Sequence, residues 1–372
     1  MSKTRIDELA EFGQSLWLDS ISRAMIRTGK LQGLIDAGLR GMTSNPTIFD
    51  KAISSGHDYD EDIKEFHRQG KSTFEIYDEL TIRDVQDAAD LFKPVYEKTG
   101  GLDGYVSLEV NPELAYRTED TINEAVRLHN KVKRANVMFK VPATEQGFPA
   151  VEELLSKGIN INITLIFSPE QYIKTANANL KGMKRLLDKG GDLGRMASVA
   201  SVFVSRIDTA VDTLLDEKIT KEQHENAGNK LRYFRGKAAA ANSKLIFRQY
   251  LEIFSGEGYM LLQNKGANIQ RLLWGSTGTK DPAYSDIKYI TELIGRPTVN
   301  TLPEQTLYAF LDHGIIEESL ALDMDGARDT VNAINGLGID LNTVYAKLLD
   351  EGVASFAKSF ESLLKTIEIK IK

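Results

Sequence analysis

The chain has 372 residues and no cysteine. Disulfides, thiolate nucleophiles and cysteine-ligated zinc are therefore excluded. Histidine is scarce as well. His57, His67, His129, His224 and His313 show no metal-ligand spacing, so surface or structural roles and no bound metal are expected. No apolar run approaches the roughly 20 residues needed to span a bilayer. The stretch from Met1 to Glu11 is charged and has no apolar export core. Basic residues are in deficit, 46 against 53 acidic ones, for a formal net charge of −7. That balance argues against nonspecific attraction to nucleic acid or to an acidic membrane. Linkers rich in Pro or Ser, low-complexity tracts and solenoid-period repeats are also missing. These absences lead to the expectation of a cytoplasmic protein with neither nucleic acid nor membrane as a partner.

What is present is an alternation of short strand-like runs with longer helix-like stretches. Such alternation indicates parallel strands joined by crossover helices. The strand candidates are Ser15–Asp19, Gly41–Asn45, Tyr105–Val110, Val137–Ala143, Asn160–Phe167, Val199–Val204, Leu272–Thr277 and Thr298–Thr301. Helical patterns cover Thr118–Arg134, Pro169–Lys189, Ile207–Glu217 and Lys237–Glu252. Eight strands is the number a (β/α)8 TIM barrel requires. Length alone suggests about two domains, but barrels often exceed ~250 residues as one unit. The expectation is an α/β fold with one barrel domain over 1–372 and extra N- and C-terminal helices. The C-terminal one is placed at about 341–370, where Leu349, Val353, Phe356, Phe360, Leu363 and Ile367 form an amphipathic stripe. It either packs on the barrel, meets a partner or covers the site.

Alternate residues of a strand face opposite sides. In Ser15–Asp19, Leu16 and Leu18 oppose Trp17 and Asp19; in Val137–Val141, three apolar residues oppose Met138 and Lys140. The strands carrying Glu109, Asn162, Thr164 and Ser201 divide the same way. If the aliphatic faces pack on helices, the others bring Asp19, Glu109, Lys140, Asn162, Thr164 and Ser201 into one lumen. Most lie late in their strands, toward the rim where barrel enzymes hold their chemistry. A half-exposed antiparallel sheet is the competing explanation of the pattern.

Lys140 is the sharpest feature. Desolvation disfavours an ammonium, and a buried amine can attack a carbonyl to form an imine. A structural ion pair with Asp19 or Glu109 explains the same lysine equally well. Asp19 and Glu109 are acid/base candidates, because imine chemistry needs several proton transfers. Asp19 precedes Ser20 and a helix, so capping competes there. Arg206 and Lys280 are candidate anion clamps. The first competes with pairing to Asp208 or Asp212, and the second ends the small, hydroxylated loop Gly275–Lys280.

Several segments, in order, resemble the transaldolase family: Trp17-Leu18-Asp19, Thr43-Ser44-Asn45-Pro46-Thr47, Ser107–Val110, Phe139–Thr144, Asn160–Ser168 and Ser201–Arg206. The chain length and Trp274–Pro282 resemble a longer bacterial subfamily. The resemblance implies a (β/α)8 barrel that uses no cofactor and works through a lysine imine on sugar-phosphate substrates, as a monomer or homodimer. It implies transfer of a dihydroxyacetone unit from a ketose phosphate to an aldose phosphate, in the non-oxidative pentose phosphate pathway. By the same resemblance Lys140 attacks C2. Glu109, with Thr164 and a water, shuttles protons, and Asp19 takes the C4 hydroxyl proton. Asn45 and Asn162 bind hydroxyls or the retained fragment, and Ser201 and Arg206 bind the phosphate. Phe203 sits where the family separates transfer from release of free dihydroxyacetone, and a phenylalanine leans toward transfer. Lys280 stands where shorter members carry a second phosphate-binding arginine, and a lysine cannot copy the bidentate fork. A related aldolase that releases free dihydroxyacetone, and a non-catalytic sugar-phosphate-binding barrel, are the alternative functions.

Overall fold

A computed structural model describes residues 3–372. Its strands run β1 Gln14–Asp19, β2 Gly41–Thr43, β3 Tyr105–Glu109, β4 Val137–Pro142, β5 Ile161–Ile166, β6 Ser198–Phe203, β7 Arg271–Gly275 and β8 Thr298–Leu302. They close into a barrel in chain order, with every neighbouring pair parallel. The eight expected strands all form, with ends displaced by about one or two residues. The antiparallel alternative fails for a physical reason. Both faces of these strands are buried, one by helices and one by the lumen, as a parallel sheet requires.

The outward apolar residues Leu16, Leu18, Phe139, Val141, Ile161 and Ile163 belong to the large core under the helices. A separate apolar cluster fills the lower lumen: Trp17, Tyr105, Met138, Val199, Leu273 and Val299. β2 accommodates it with Gly41, where a Cβ would lie 2.6 Å from the Trp17 ring. Beneath this layer Arg271 donates to Ser15 Oγ and Asp103 Oδ1, each at 2.8 Å, with all three side chains buried. The floor is therefore a plug, and the opposite end of the barrel is left for a site.

The helix Arg5–Phe12 precedes β1 and carries a Thr4–Asp7 capping box. Four helices separate β6 from β7: Ser205–Lys221, Glu225–Tyr233, Ala238–Phe254 and Glu257–Gln263. The last helix, Leu341–Ile371, buries Val353, Phe356, Phe360, Leu363 and Ile367, most of the expected stripe. It packs along the helices Pro46–Ser54 and Asp60–Arg68 and reaches the end of β5. Phe360 lies edge-on to Tyr77 at 5.1 Å, and Lys370 Nζ donates to Asp60 at 2.6 Å. Among the described residues no helix is long and apolar enough to cross a membrane.

Candidate active site

A cavity of about 290 Å³ opens at the C-terminal ends of the strands, a volume suited to a small metabolite. Lys140 projects into it from β4, flanked by Phe139 and Val141, which face the helices. Its Nζ donates to the Ser44 carbonyl at 3.1 Å and lies 3.3 Å from Glu109 Oε2. Both side chains are almost fully buried. Strand register sets this contact, because Glu109 on β3 is the direct neighbour of Lys140. The ion pair expected as the plainer explanation of Lys140 is thus present. Burial nevertheless pushes the Glu109 carboxyl above its usual range, with Lys140 opposing the shift. Thr164 Oγ1, on the cavity wall, is buried without a protein hydrogen-bond partner, and Glu109 Oε2 has only its contact with Lys140, an arrangement that points to chemistry or a bound water.

Asp19 ends β1 at the cavity wall. It does not cap the following helix; Ser22 does, accepting from Met25 N at 3.2 Å. Asp19 Oδ1 instead accepts from Thr43 Oγ1 at 2.8 Å, and Thr43 Oγ1 lies 2.7 Å from Thr301 Oγ1. The single Thr43 proton goes to the carboxylate, so Thr301 donates to Thr43. Burial raises the Asp19 carboxyl, opposed first by Lys140 and then by Thr43.

Thr164, Ser201 and Phe203 line the same cavity, but Asn162 lies behind its wall. Asn162 accepts from Ser201 Oγ at 2.6 Å and donates to Ser107 Oγ at 3.1 Å, which fixes the Ser201 hydroxyl from below. Asn45 also lines the cavity, with its Oδ1 committed to capping the helix Pro46–Ser54 through Ile48 N at 3.0 Å. Directly after Thr164 the β5–β6 register shifts, and Leu165 takes a left-handed φ of 61°.

Arg206, in the first turn of Ser205–Lys221, makes no ion pair among the described residues. Its expected rivals are occupied elsewhere. Asp208 accepts from Ala239 N at 2.7 Å and Tyr289 Oη at 3.0 Å, and Asp212 from Gly236 N at 2.9 Å and Tyr284 Oη at 2.7 Å. The guanidinium lies 5.2 Å from the Phe203 ring and 6.0 Å from that of Phe356. Lys280, itself exposed, reaches the same cavity from the end of the largely buried loop Gly275–Lys280, in which Ser276 is left-handed, φ 54°. Lys51 adds another cation on the wall. With Lys140 balanced by Glu109, the cations Lys51, Arg206 and Lys280 against Asp19 make a positive mouth that favours an anion such as a phosphate ester.

Thr43, Lys51, Thr301 and the C-terminal Phe356 line the cavity without having been expected as site residues. Thr43 opens the Thr43–Thr47 segment, and Phe356 belongs to the amphipathic stripe; neither signal distinguishes a site from packing. The C-terminal helix therefore both packs on the barrel and contributes a wall of the cavity.

Residues 16–367 match the profile of the Transaldolase/Fructose-6-phosphate aldolase family. A protein named "Transaldolase" from Trichodesmium erythraeum is 45% identical over 98% of this chain and 97% of its own. "Transaldolase 2" from a Nostoc species is 43% identical over 100% of this chain and 99% of its own. "Transaldolase" from Saccharopolyspora erythraea is 44% identical over 98% and 97%. With these full-length likenesses and a closed eight-stranded barrel holding a buried lysine among carboxylates, the chain belongs to the transaldolase/fructose-6-phosphate aldolase family.

Proposed function

We propose that the protein is a transaldolase that moves a dihydroxyacetone unit from a ketose phosphate, fructose 6-phosphate or sedoheptulose 7-phosphate, to an aldose phosphate. The reaction is that of the non-oxidative pentose phosphate pathway, carried out in the cytoplasm by a monomer or homodimer. The neutral Lys140 amine attacks C2. Glu109, through a water shared with Thr164, supplies the proton that lets the carbinolamine hydroxyl leave as water. The Asp19 carboxylate takes the C4 hydroxyl proton, C3–C4 breaks, and its electron pair enters the iminium to give an enamine. The aldose phosphate departs. C3 then attacks the acceptor aldehyde, Asp19 returns its proton to the new alkoxide, and hydrolysis of the imine frees the new ketose phosphate. Asn45 binds substrate hydroxyls, and Asn162, behind the wall, holds Ser201. Ser201, Arg206 and Lys280 bind the phosphate.

The observation that carries this reading is Lys140 lining one cavity with Asp19 and Thr164, while Glu109, buried beside it and not on the cavity wall, lies 3.3 Å from its amine. Two carboxylates raised by burial beside one amine can divide the proton transfers of imine chemistry. The test is borohydride reduction with fructose 6-phosphate, followed by peptide mapping. A stable three-carbon adduct on Lys140 is expected; no adduct, or one on another lysine, overturns the mechanism.

A further inference from the structure

We propose that Phe356 is a specificity-determining residue that keeps water from the Lys140-bound three-carbon fragment, so that the fragment passes to an aldose phosphate and is not released. The inference rests on the imine reading above and adds the reason an imine enzyme of this geometry would transfer its fragment.

Phe356 comes from the far end of the chain yet sits in the site. It is 4% exposed, and its ring centroid lies 5.8 Å from Lys140 Nζ. It meets Phe203 edge-on at 6.5 Å, and Phe203 meets Phe167 edge-on at 5.7 Å. These rings form a continuous hydrocarbon wall from the end of β5, across β6, to the C-terminal helix. One helical turn earlier Gly352 lets the helix backbone settle on the rim. A Cβ there would lie 2.9 Å from Leu165 Cδ2 and 3.4 Å from Arg206 Nη1. Two side-chain hydrogen bonds hold the helix as well. Thr47 and Ser359 share a hydroxyl hydrogen bond of 2.8 Å, and Tyr116 Oη donates to Asp350 at 3.0 Å. The Phe356 ring is therefore fixed against the lysine by the seat of its helix.

Chemistry makes that position consequential. Free dihydroxyacetone appears when the enamine carbon takes a proton, water adds to C2 of the iminium, and the C–N bond breaks to restore the Lys140 amine. Transfer instead joins the enamine carbon to the acceptor aldehyde and needs no water until the longer ketose is complete. Protonation of the enamine carbon is the step that release does not share with transfer; a ring at this distance screens that carbon from solvent protons, and exclusion of water suppresses such side reactions. Phe203 lines the same cavity beside Phe356, and Phe356 is the ring that comes within 5.8 Å of the lysine.

The experiment compares turnover of fructose 6-phosphate without an acceptor, followed as glyceraldehyde 3-phosphate released, with turnover in the presence of erythrose 4-phosphate. It uses the full chain, Phe356→Ala and Phe356→Leu. The unsubstituted protein is expected to give a burst of one product per site and then slow release. In Phe356→Ala the ratio of acceptor-free to acceptor-dependent turnover should rise by about tenfold or more, equivalent to ~1.4 kcal/mol of barrier. Phe356→Leu, which keeps an apolar side chain on the helix, should rise by less, and it supplies the reading if circular dichroism shows the alanine variant misfolded. Borohydride trapping is run on each protein in parallel. An adduct on Lys140 with an unchanged ratio overturns this inference and leaves the imine reading standing. No adduct in the unsubstituted protein overturns both.

Discussion

Replacing Thr43 by valine tests how the barrel sets the proton affinity of Asp19. Valine keeps the shape of threonine and removes the donor that meets Asp19 Oδ1 at 2.8 Å. A hydrogen bond to a charged group contributes roughly 1.5–3 kcal/mol, more where the acceptor is shielded from water. Burial already raises the Asp19 carboxyl, and Thr43 is one of the groups holding it down. Loss of the donor disfavours the carboxylate and leaves the protonated acid nearly untouched, so the carboxyl moves further up. In the proposed mechanism Asp19 works ionised. The acidic limb of kcat/KM then shifts to higher pH, and activity on that limb falls by roughly 10- to 100-fold, with recovery at alkaline pH. The assay is transfer from fructose 6-phosphate to erythrose 4-phosphate over about pH 5.5 to 9. Thr43→Ser should restore the limb. Thr301→Val, one hydroxyl further away, should move it in the same direction by less. A uniform fall at every pH, or an unmoved limb, would refute the argument that Thr43 acts through the ionised form of Asp19.

Other consequences follow from the same geometry. Arg206→Ala should raise KM for fructose 6-phosphate by roughly 10- to 100-fold and abolish the preference over unphosphorylated fructose, whereas Lys280→Ala, removing an exposed point charge, should cost under about tenfold. A larger effect at Lys280 would reassign the phosphate grip. Burial pushes the Asp208 carboxyl up to about 6. A raised acid stabilises the fold while protonated, so that contribution, about 3 kcal/mol, is lost as pH rises from about 4 to 6. Urea unfolding should show this pH slope in the natural protein and less of it in Asp208→Asn; equal slopes would contradict it. Arg271→Leu leaves Asp103 buried without its countercharge and should destabilise by roughly 3–5 kcal/mol, while adding Asp103→Asn should recover part of that. Because this plug lies below the apolar layer, KM should not change, and a raised KM in folded protein would contradict the separation of floor from site.

The strands were legible because each carries its own phase. Leu16 and Leu18 against Trp17 and Asp19 say which residues share a face, and closure of the barrel turns shared faces into a shared lumen. Register between strands is not written locally. That Glu109 rather than Asp19 touches Lys140 depends on how β3 and β4 align. Two local ambiguities resolved once the chain was folded. Asp19 and Ser22 both precede a helix, and the nearer one caps it. Arg206 and Asp208 stand two apart on a helix, a spacing that does not bring side chains together. Thr43 and Thr301 were invisible as site residues because hydroxyl side chains are ordinary in strands. Phe356 was visible as one member of an apolar stripe, but its place over Lys140 depends on where the C-terminal helix comes to rest.

The two accounts of Lys140, ion pair and nucleophile, concern the same atoms with a proton in different places. With the ammonium paired to Glu109 and Asp19 ionised, the three groups sum to one negative charge. Moving the proton from Lys140 to Glu109 keeps that sum and produces the neutral amine that attack on a carbonyl needs. The move separates no new charge; it cancels an ion pair, and burial is the condition under which cancelling one costs least. The burial that raises Glu109 acts in that direction. In the proposed mechanism Asp19 can then keep its negative charge for the C4 hydroxyl while the proton moves from Lys140 to Glu109. A lysine with no carboxylate beside it would have to lose its proton to solvent. In the proposed mechanism, the contact that makes Lys140 look structural is the one that lets it act.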